Sequence, residues 1–251
     1  MVIKNPKDAA VKYEDIDLGV MSFVHTKERW LDLGCGTGSL GKAIRDRGNE
    51  VDGIEYSAEA VKVSRGRLDH AWQGDVTQPN ALLSDKKEYY DCILFGNILE
   101  HLTDPWTVLK KYRKYLKPKG KIIVSIPNVC TWTTRLQFFV GYFRYTEVGT
   151  FDFTHYRFFN FSTARELIED AGFRITRITV NPNIIRPLTP LIQNLFGRNP
   201  RKGLNRVQVN RRILESPAYK FYERYFHPVE TFIANRWKNL LAFSFVFEAK
   251  L

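Results

Sequence analysis

Along the first 180 residues, short apolar runs alternate with stretches whose apolar positions recur at helical spacing. This is the pattern of strand–helix–strand units that build a parallel sheet. Strands are predicted near 29–33 (Arg-Trp-Leu-Asp-Leu), 50–54, 70–74, 90–95 and 121–126, with helices between them at 38–47, 58–67, 78–84 and 103–116. The last helix is the most sharply marked. Asp104 and Pro105 supply an N-cap and an N1 proline, and Trp106, Leu109, Tyr112 and Leu116 follow near helical spacing. Pro118-Lys119-Gly120 is expected to end it and turn the chain into the next strand. After Pro127-Asn128 the pattern loosens into an aromatic stretch, 132–161. Ser162 is then expected to cap a further helix ending at Ala171-Gly172, with a strand at 173–180 and another in the closing apolar run 240–248.

Composition adds little until the charge is located. The net charge is +11, and eight units of that surplus fall between 182 and 238, where eleven Lys or Arg face only Glu215, Glu223 and Glu230. Arginines interleaved there with Phe196, Phe221, Tyr222, Tyr225, Phe226, Phe232 and Trp237 suit an anionic surface such as phospholipid head groups or a lipid-phosphate carrier. No RNA-binding motif is visible, which argues against nucleic acid. No run approaches the roughly 20 apolar residues of a bilayer-spanning helix, and the acidic first 20 residues do not read as a secretory leader. Cys35, Cys92 and Cys130 are odd in number and widely spaced, which predicts neither a disulfide framework nor a metal site. A reducing, cytoplasmic setting is expected, with peripheral contact to the inner membrane face as an extension of it.

The segment Trp30-Leu31-Asp32-Leu33-Gly34-Cys35-Gly36-Thr37-Gly38 carries the clearest chemistry. An apolar strand runs into a glycine-rich turn and then a helix start, an arrangement that brings backbone N–H groups close to a ligand. Read alone it is ambiguous, because Gly36-Thr37-Gly38-Ser39-Leu40-Gly41 also satisfies the dinucleotide pattern, with Glu55 at the expected distance. Three acids at successive strand ends point instead to S-adenosylmethionine. Asp32 precedes the glycines and can attract an ammonium, Glu55 can accept the ribose hydroxyls, and Asp75 can receive an adenine amino group.

With these residues in place, the sequence resembles class I S-adenosylmethionine-dependent methyltransferases over about 28–181 and the final strand. Leu31–Gly38 is similar to the family's first motif. Asp91–Leu102 is similar to its fourth-strand motif, and Leu116–Lys121 with Ser125–Asn128 to its fifth-strand region. The resemblance implies an α/β, Rossmann-like, doubly wound sheet of seven mostly parallel strands with an antiparallel last strand, plus a helical and aromatic insertion. It places the cofactor on Gly34, Gly36, Gly38, Glu55 and Asp75, with Asn97 and Ile98 on the methionine side; the neighbours Asp32, Cys35, Tyr56 and Val76 complete the expected site. One domain over 1–251 is expected, its core at 28–181 and 240–248. The insertions 129–161 and 182–238 would form a substrate lid.

Methyl transfer from a sulfonium needs an in-line acceptor, and a hydroxyl acceptor gains from a histidine base. His155 and His101 are the candidates, with Glu100 a further polar candidate at the same turn. Asp152-x-Thr-His155-x-Arg157-Phe-Phe resembles a branch associated with surface polysaccharide and lipid-linked glycans. That resemblance implies O-methylation of a sugar hydroxyl, with Asn128, Asp152, Tyr156 and Arg157 on the substrate. Two other readings stay open: methylation of a small metabolite or quinone precursor, and a cofactor-binding regulatory subunit without turnover.

Overall fold

A computed structural model describes residues 16–78, 83–185, 187, 217 and 221–251. After a short helix α1 (Leu18–Met21), the chain alternates β1 (Arg29–Leu33), α2 (Ser39–Arg45), β2 (Glu50–Glu55), α3 (Ala58–Ser64), β3 (His70–Gln73), β4 (Tyr90–Gly96), α4 (Pro105–Tyr112) and β5 (Leu116–Pro127). There follow α5 (Trp132–Phe139), α6 (Phe161–Asp170), β6 (Arg174–Pro182), α7 (His227–Arg236), the short α8 (Lys238–Leu241) and β7 (Ala242–Lys250). The seven strands form one sheet, as the resemblance implies, and their order is β3-β2-β1-β4-β5-β7-β6. β7 is antiparallel to β5 and β6.

The period-two alternation of the strands divides the core between the two faces of the sheet. Leu31 and Leu33 of β1, Ile93 and Phe95 of β4 and Ile122, Val124 and Ile126 of β5 pack on one side with Leu109 of α4 and Leu167 of α6. Trp30, Cys92, Leu94 and Ile123 face the other side, against Val20 of α1 and Ile44 of α2. Strand order reverses between β1 and β4, so the carboxyl ends of these two strands open a crevice, the place where open α/β sheets bind ligands.

Local details depart from the expected boundaries. Pro118-Lys119-Gly120 does not separate helix from strand. The helix ends earlier, at Tyr112, and a turn of 3-10 helix, Arg113–Tyr115, leads into β5. The three residues then form a bulge inside β5, because Tyr90 pairs with Leu116 but Cys92 pairs with Lys121. α6 is capped by Asn160 rather than Ser162: the Asn160 carboxamide accepts from Thr163 N–H, and the Thr163 hydroxyl closes a capping box on Asn160 N–H. Leu240 and Leu241 belong to α8, and β7 starts at Ala242. The helix expected over 78–84 falls mostly on 79–82, outside the described residues.

Candidate active site

At the carboxyl end of β1 the chain turns on three glycines whose backbone is left-handed, Gly34 at φ +70°, Gly36 at φ +55° and Gly38 at φ +79°. At Gly34 the space is closed as well: a Cβ there would lie 2.7 Å from Ile98 Cδ1. The glycine loop and the turn after β4 are therefore in contact, with no room for a side chain between them. Gly34 N–H and Cys35 N–H both donate to Ile54 O, at 2.8 and 3.2 Å, which ties the loop to the end of β2.

Glu55, the last residue of β2, organises the loop further. Its Oε2 accepts from Gly36 N–H at 2.9 Å and its Oε1 from Ser57 N–H at 2.8 Å. Each carboxylate oxygen keeps a second lone pair, so these bonds aim the group without exhausting it. Arg67 holds the other flank, donating to Ser39 Oγ at 2.7 Å and to Thr37 Oγ1 at 3.1 Å. Nothing in the local pattern singled Arg67 out, since it arrives from the end of α3, some 30 residues along the chain. Asp32 lies buried beneath the loop. Burial, helped by the like charge of Glu55, pushes its carboxyl up to about 7. A fixed cationic ligand group would relieve that cost. These features, a cradle closed to side chains with two carboxylates under and beside it, fit an adenosyl cofactor carrying an ammonium and vicinal hydroxyls.

The other expected cofactor positions lie around the same crevice. Asp75, half-buried after β3, accepts from Thr77 N–H and Oγ1 at 2.8 and 2.7 Å. Val76 is buried and its carbonyl accepts from Tyr112 O–H. Tyr56 is 76% exposed. The Cys35 thiol is buried and pushed well above its usual range, so it is an inert packing group. Asn97 is exposed and takes φ +50°, while its N–H donates to Ser125 O at 3.0 Å. A non-glycine residue in that conformation at the crevice mouth is locally strained.

Ile98 leads directly into a turn of 3-10 helix, Leu99–His101. Glu100 O accepts from Tyr156 N–H at 2.9 Å and Arg157 N–H at 3.1 Å, which brings the 150–158 segment against the turn. As a result the His101 and His155 rings meet edge to face, centroids 4.6 Å apart. His101 Nδ1 lies 2.9 Å from Thr154 Oγ1, whose hydroxyl donates to Asp152 Oδ1 at 2.7 Å. His155 Nδ1 lies 3.1 Å from Thr150 O. Burial keeps both rings neutral near pH 7. His101 is lowered to about 4, with the neighbouring His155 adding to the effect, and His155 is lowered too. Glu100 is 1% exposed, and neither carboxylate oxygen has a hydrogen-bond partner. Burial pushes it up to about 8.

Of the expected substrate contacts, Asp152 is buried under Thr154, and Tyr156 is 68% exposed. Arg157 is exposed, donates to Thr103 O at 2.7 Å and covers the Trp106 ring. Asn128 is fully buried and employed within the scaffold: its amide donates to Ala242 O at 2.9 Å and Asn239 O at 3.0 Å, and its Oδ1 accepts from Cys130 N–H at 2.8 Å. Thr154 was not among the expected site residues, although it sits inside the Asp152–His155 segment that was.

The family described as "Methyltransferase domain" matches residues 14–178, more than half of the chain. A ubiquinone biosynthesis O-methyltransferase of Idiomarina loihiensis is 30% identical over 163 residues, 63% of this chain and 65% of that protein. The protein of the same name from Nitrosomonas europaea is 33% identical over 101 residues, 39% of this chain and 43% of its own length. The chain thus spans less than two thirds of either relative. Among solved structures, a SAM-dependent methyltransferase from Archaeoglobus fulgidus superposes with a TM-score of 0.57 at 16% identity, covering 92% of this chain and 90% of that one. One from Thermotoga maritima, titled a possible histamine N-methyltransferase, gives 0.52 at 22% identity, covering 70% and 75%. At these identities the likeness is one of fold. None of these relatives carries a glycan-related name, so the polysaccharide branch expected from the His155 segment finds no support in them.

Proposed function

The chain belongs to the methyltransferase-domain family, and from that premise we propose that it O-methylates a small aromatic hydroxyl compound of the quinone-precursor class, with S-adenosylmethionine as donor. The observation that carries this reading is the pair of neutral histidines beside an aromatic wall. The His155 ring lies 6.3 Å from Phe158, Phe158 lies 6.2 Å from Phe151, and Phe151 packs on Phe138 and Phe143 at 5.5 and 5.2 Å. Such a wall suits a flat phenol. A sugar ring would ask for many hydrogen-bond partners, and leaving them unmet is costly. The relatives named for ubiquinone biosynthesis support the same acceptor class over the glycan one.

Gly34, Gly36, Asp32, Glu55 and Asp75 hold the donor. S-adenosylmethionine supplies an electrophilic methyl on a sulfonium, so the chain need only place an acceptor oxygen in line and take its proton. A neutral imidazole of His155 or His101 takes that proton as the oxygen–carbon bond forms and the carbon–sulfur bond breaks, and it later releases the proton to solvent. The test is incubation of the purified chain with S-adenosylmethionine and either an alkylated dihydroxybenzene or a sugar nucleotide, followed by mass spectrometry. A methyl ether of the phenol, formed with one equivalent of S-adenosylhomocysteine, is expected. Methylation of the sugar with none of the phenol overturns the reading.

The membrane contact belongs to this proposal too. No helix among the described residues is long and apolar enough to cross a bilayer. Phe221, Tyr225, Phe226 and Phe232 are nevertheless exposed near Arg224 and Arg236, while Arg198–Arg212 and Lys220 lie outside the described residues. Salt-sensitive co-sedimentation with anionic vesicles is expected. Equal recovery with neutral vesicles removes this part.

A further inference from the structure

We propose that Glu100, His101 and His155 form a binding site for one divalent first-row transition-metal ion. One ligand atom from each residue lies within 4.8 Å of the others. Sequence spacing concealed the cluster, because His155 is 54 positions from His101, and backbone bonds from Tyr156 and Arg157 to Glu100 O bring the two segments together.

Three features separate this cluster from an accidental grouping. The first is Glu100 itself, whose two carboxylate oxygens are buried without a hydrogen-bond partner. Most other buried acids are partnered: Asp52 by Tyr90 O–H and His70, Glu55 by Gly36 and Ser57, and Glu230 by the Ile184 and Ile185 N–H groups and Tyr222 O–H; the exception, Asp32, lies under the donor loop, where the cofactor's ammonium would meet it. An unpartnered carboxyl at that depth is costly, and a cation is what would let it ionise there.

The second feature is the tautomer of each histidine. Since the Thr154 hydroxyl donates to Asp152 Oδ1, it accepts from His101 Nδ1–H. His155 Nδ1–H likewise donates to Thr150 O. Both rings therefore keep the lone pair on Nε2, and both have the outer hydrogen bonds that orient metal-binding imidazoles.

The third feature is the donor set. Two imidazoles and one carboxylate suit Zn²⁺, Co²⁺, Fe²⁺ or Mn²⁺ better than Ca²⁺ or Mg²⁺. Three protein ligands leave a position open for an oxygen ligand, and the cluster begins two residues beyond Ile98, which touches the glycine loop. With both Nε2 lone pairs on it, the ion would take the place of the imidazole base: an acceptor hydroxyl bound to it would lose its proton to solvent and sit as an oxyanion near the donor. That role rests on the aromatic-hydroxyl reading above, whereas binding of the ion does not.

The experiment is titration of chelator-treated protein with Co²⁺ alone, read by visible absorption and by equilibrium dialysis. S-adenosylhomocysteine affinity and near-UV circular dichroism are measured in parallel. One ion per chain is expected. Glu100→Gln and His155→Ala should each weaken binding by about 100-fold or more while retaining S-adenosylhomocysteine. Thr154→Val, which removes only an outer hydrogen bond, should weaken it by about 10-fold. Two results overturn the site: no stoichiometric uptake by protein that binds S-adenosylhomocysteine, or uptake unchanged in all three variants. Co²⁺ uptake without phenol methylation would leave the site standing and sink the aromatic-hydroxyl reading instead.

Discussion

The two sides of the crevice are built by opposite means. On the donor side, polar groups meet polar groups: Glu55 is held by Gly36 and Ser57 N–H, the loop N–H groups by Ile54 O, and Thr37 by Arg67. On the acceptor side, buried titratable groups crowd together with bonding capacity to spare, the Glu100 oxygens above all. A site that grips a constant ligand can have its loop bonded before the ligand arrives, keeping one buried group, Asp32, for the ligand's charge. A site that moves a proton or holds an ion keeps groups that the scaffold itself does not satisfy, at a cost in stability.

The largest test of that contrast is Gly34→Val. It demands a left-handed β-branched residue and drives its Cβ into Ile98, so S-adenosylhomocysteine affinity should fall by about three orders of magnitude by calorimetry. His155→Ala should do the reverse, lowering kcat by about 100-fold with that affinity unchanged. Equal loss of both quantities would erase the distinction between the sides. Asn128→Ala probes the frame beneath the acceptor side. It strands the Ala242 and Asn239 carbonyls and should cost about 2 kcal/mol in urea unfolding, with cofactor affinity in the surviving fold unchanged.

The effect spread most gradually, over a pH window, concerns Asp32. Its folded value of about 7 lies above the unfolded value of about 3.9. Between these two the folded state holds a proton that the unfolded chain has lost, so this contribution is fully present below pH of about 4 and disappears as pH rises through about 7. Wild type should therefore lose stability relative to Asp32→Asn by about 1 kcal/mol per pH unit across the middle of that window, in protein free of cofactor. Parallel pH profiles for the two proteins would show that Asp32 is ionised in the folded state.

Legibility followed the same divide. The glycine loop, Asp32 and Glu55 could be read because their chemistry is local: a strand, a left-handed turn and the end of the neighbouring strand fall within some 26 residues. The acceptor side was named only in part. His101 and His155 were found as residue types in suggestive segments, yet their meeting, the Thr154 link and the unpartnered state of Glu100 depend on contacts across more than 50 positions. Asn128 is expected on the substrate. Its neighbours 110 or more positions along the chain, in α8 and β7, employ it internally. Pro118–Gly120 has the chemistry of a turn, but pairing with β4 absorbs it as a bulge inside the strand instead of a break between helix and strand.

By itself, then, the sequence determined the alternating sheet, the strand-to-glycine turn and the donor class. The sheet and the turn follow from period-two burial and from backbone conformations that only particular residues adopt, and the donor class from the acids Asp32, Glu55 and Asp75 at the strand ends. The tertiary structure alone decided which polar groups end up buried together and which of them lack partners. Burial and partnership are properties of the packed chain, and they make Glu100, His101 and His155 a site where the sequence shows only two short, distant segments.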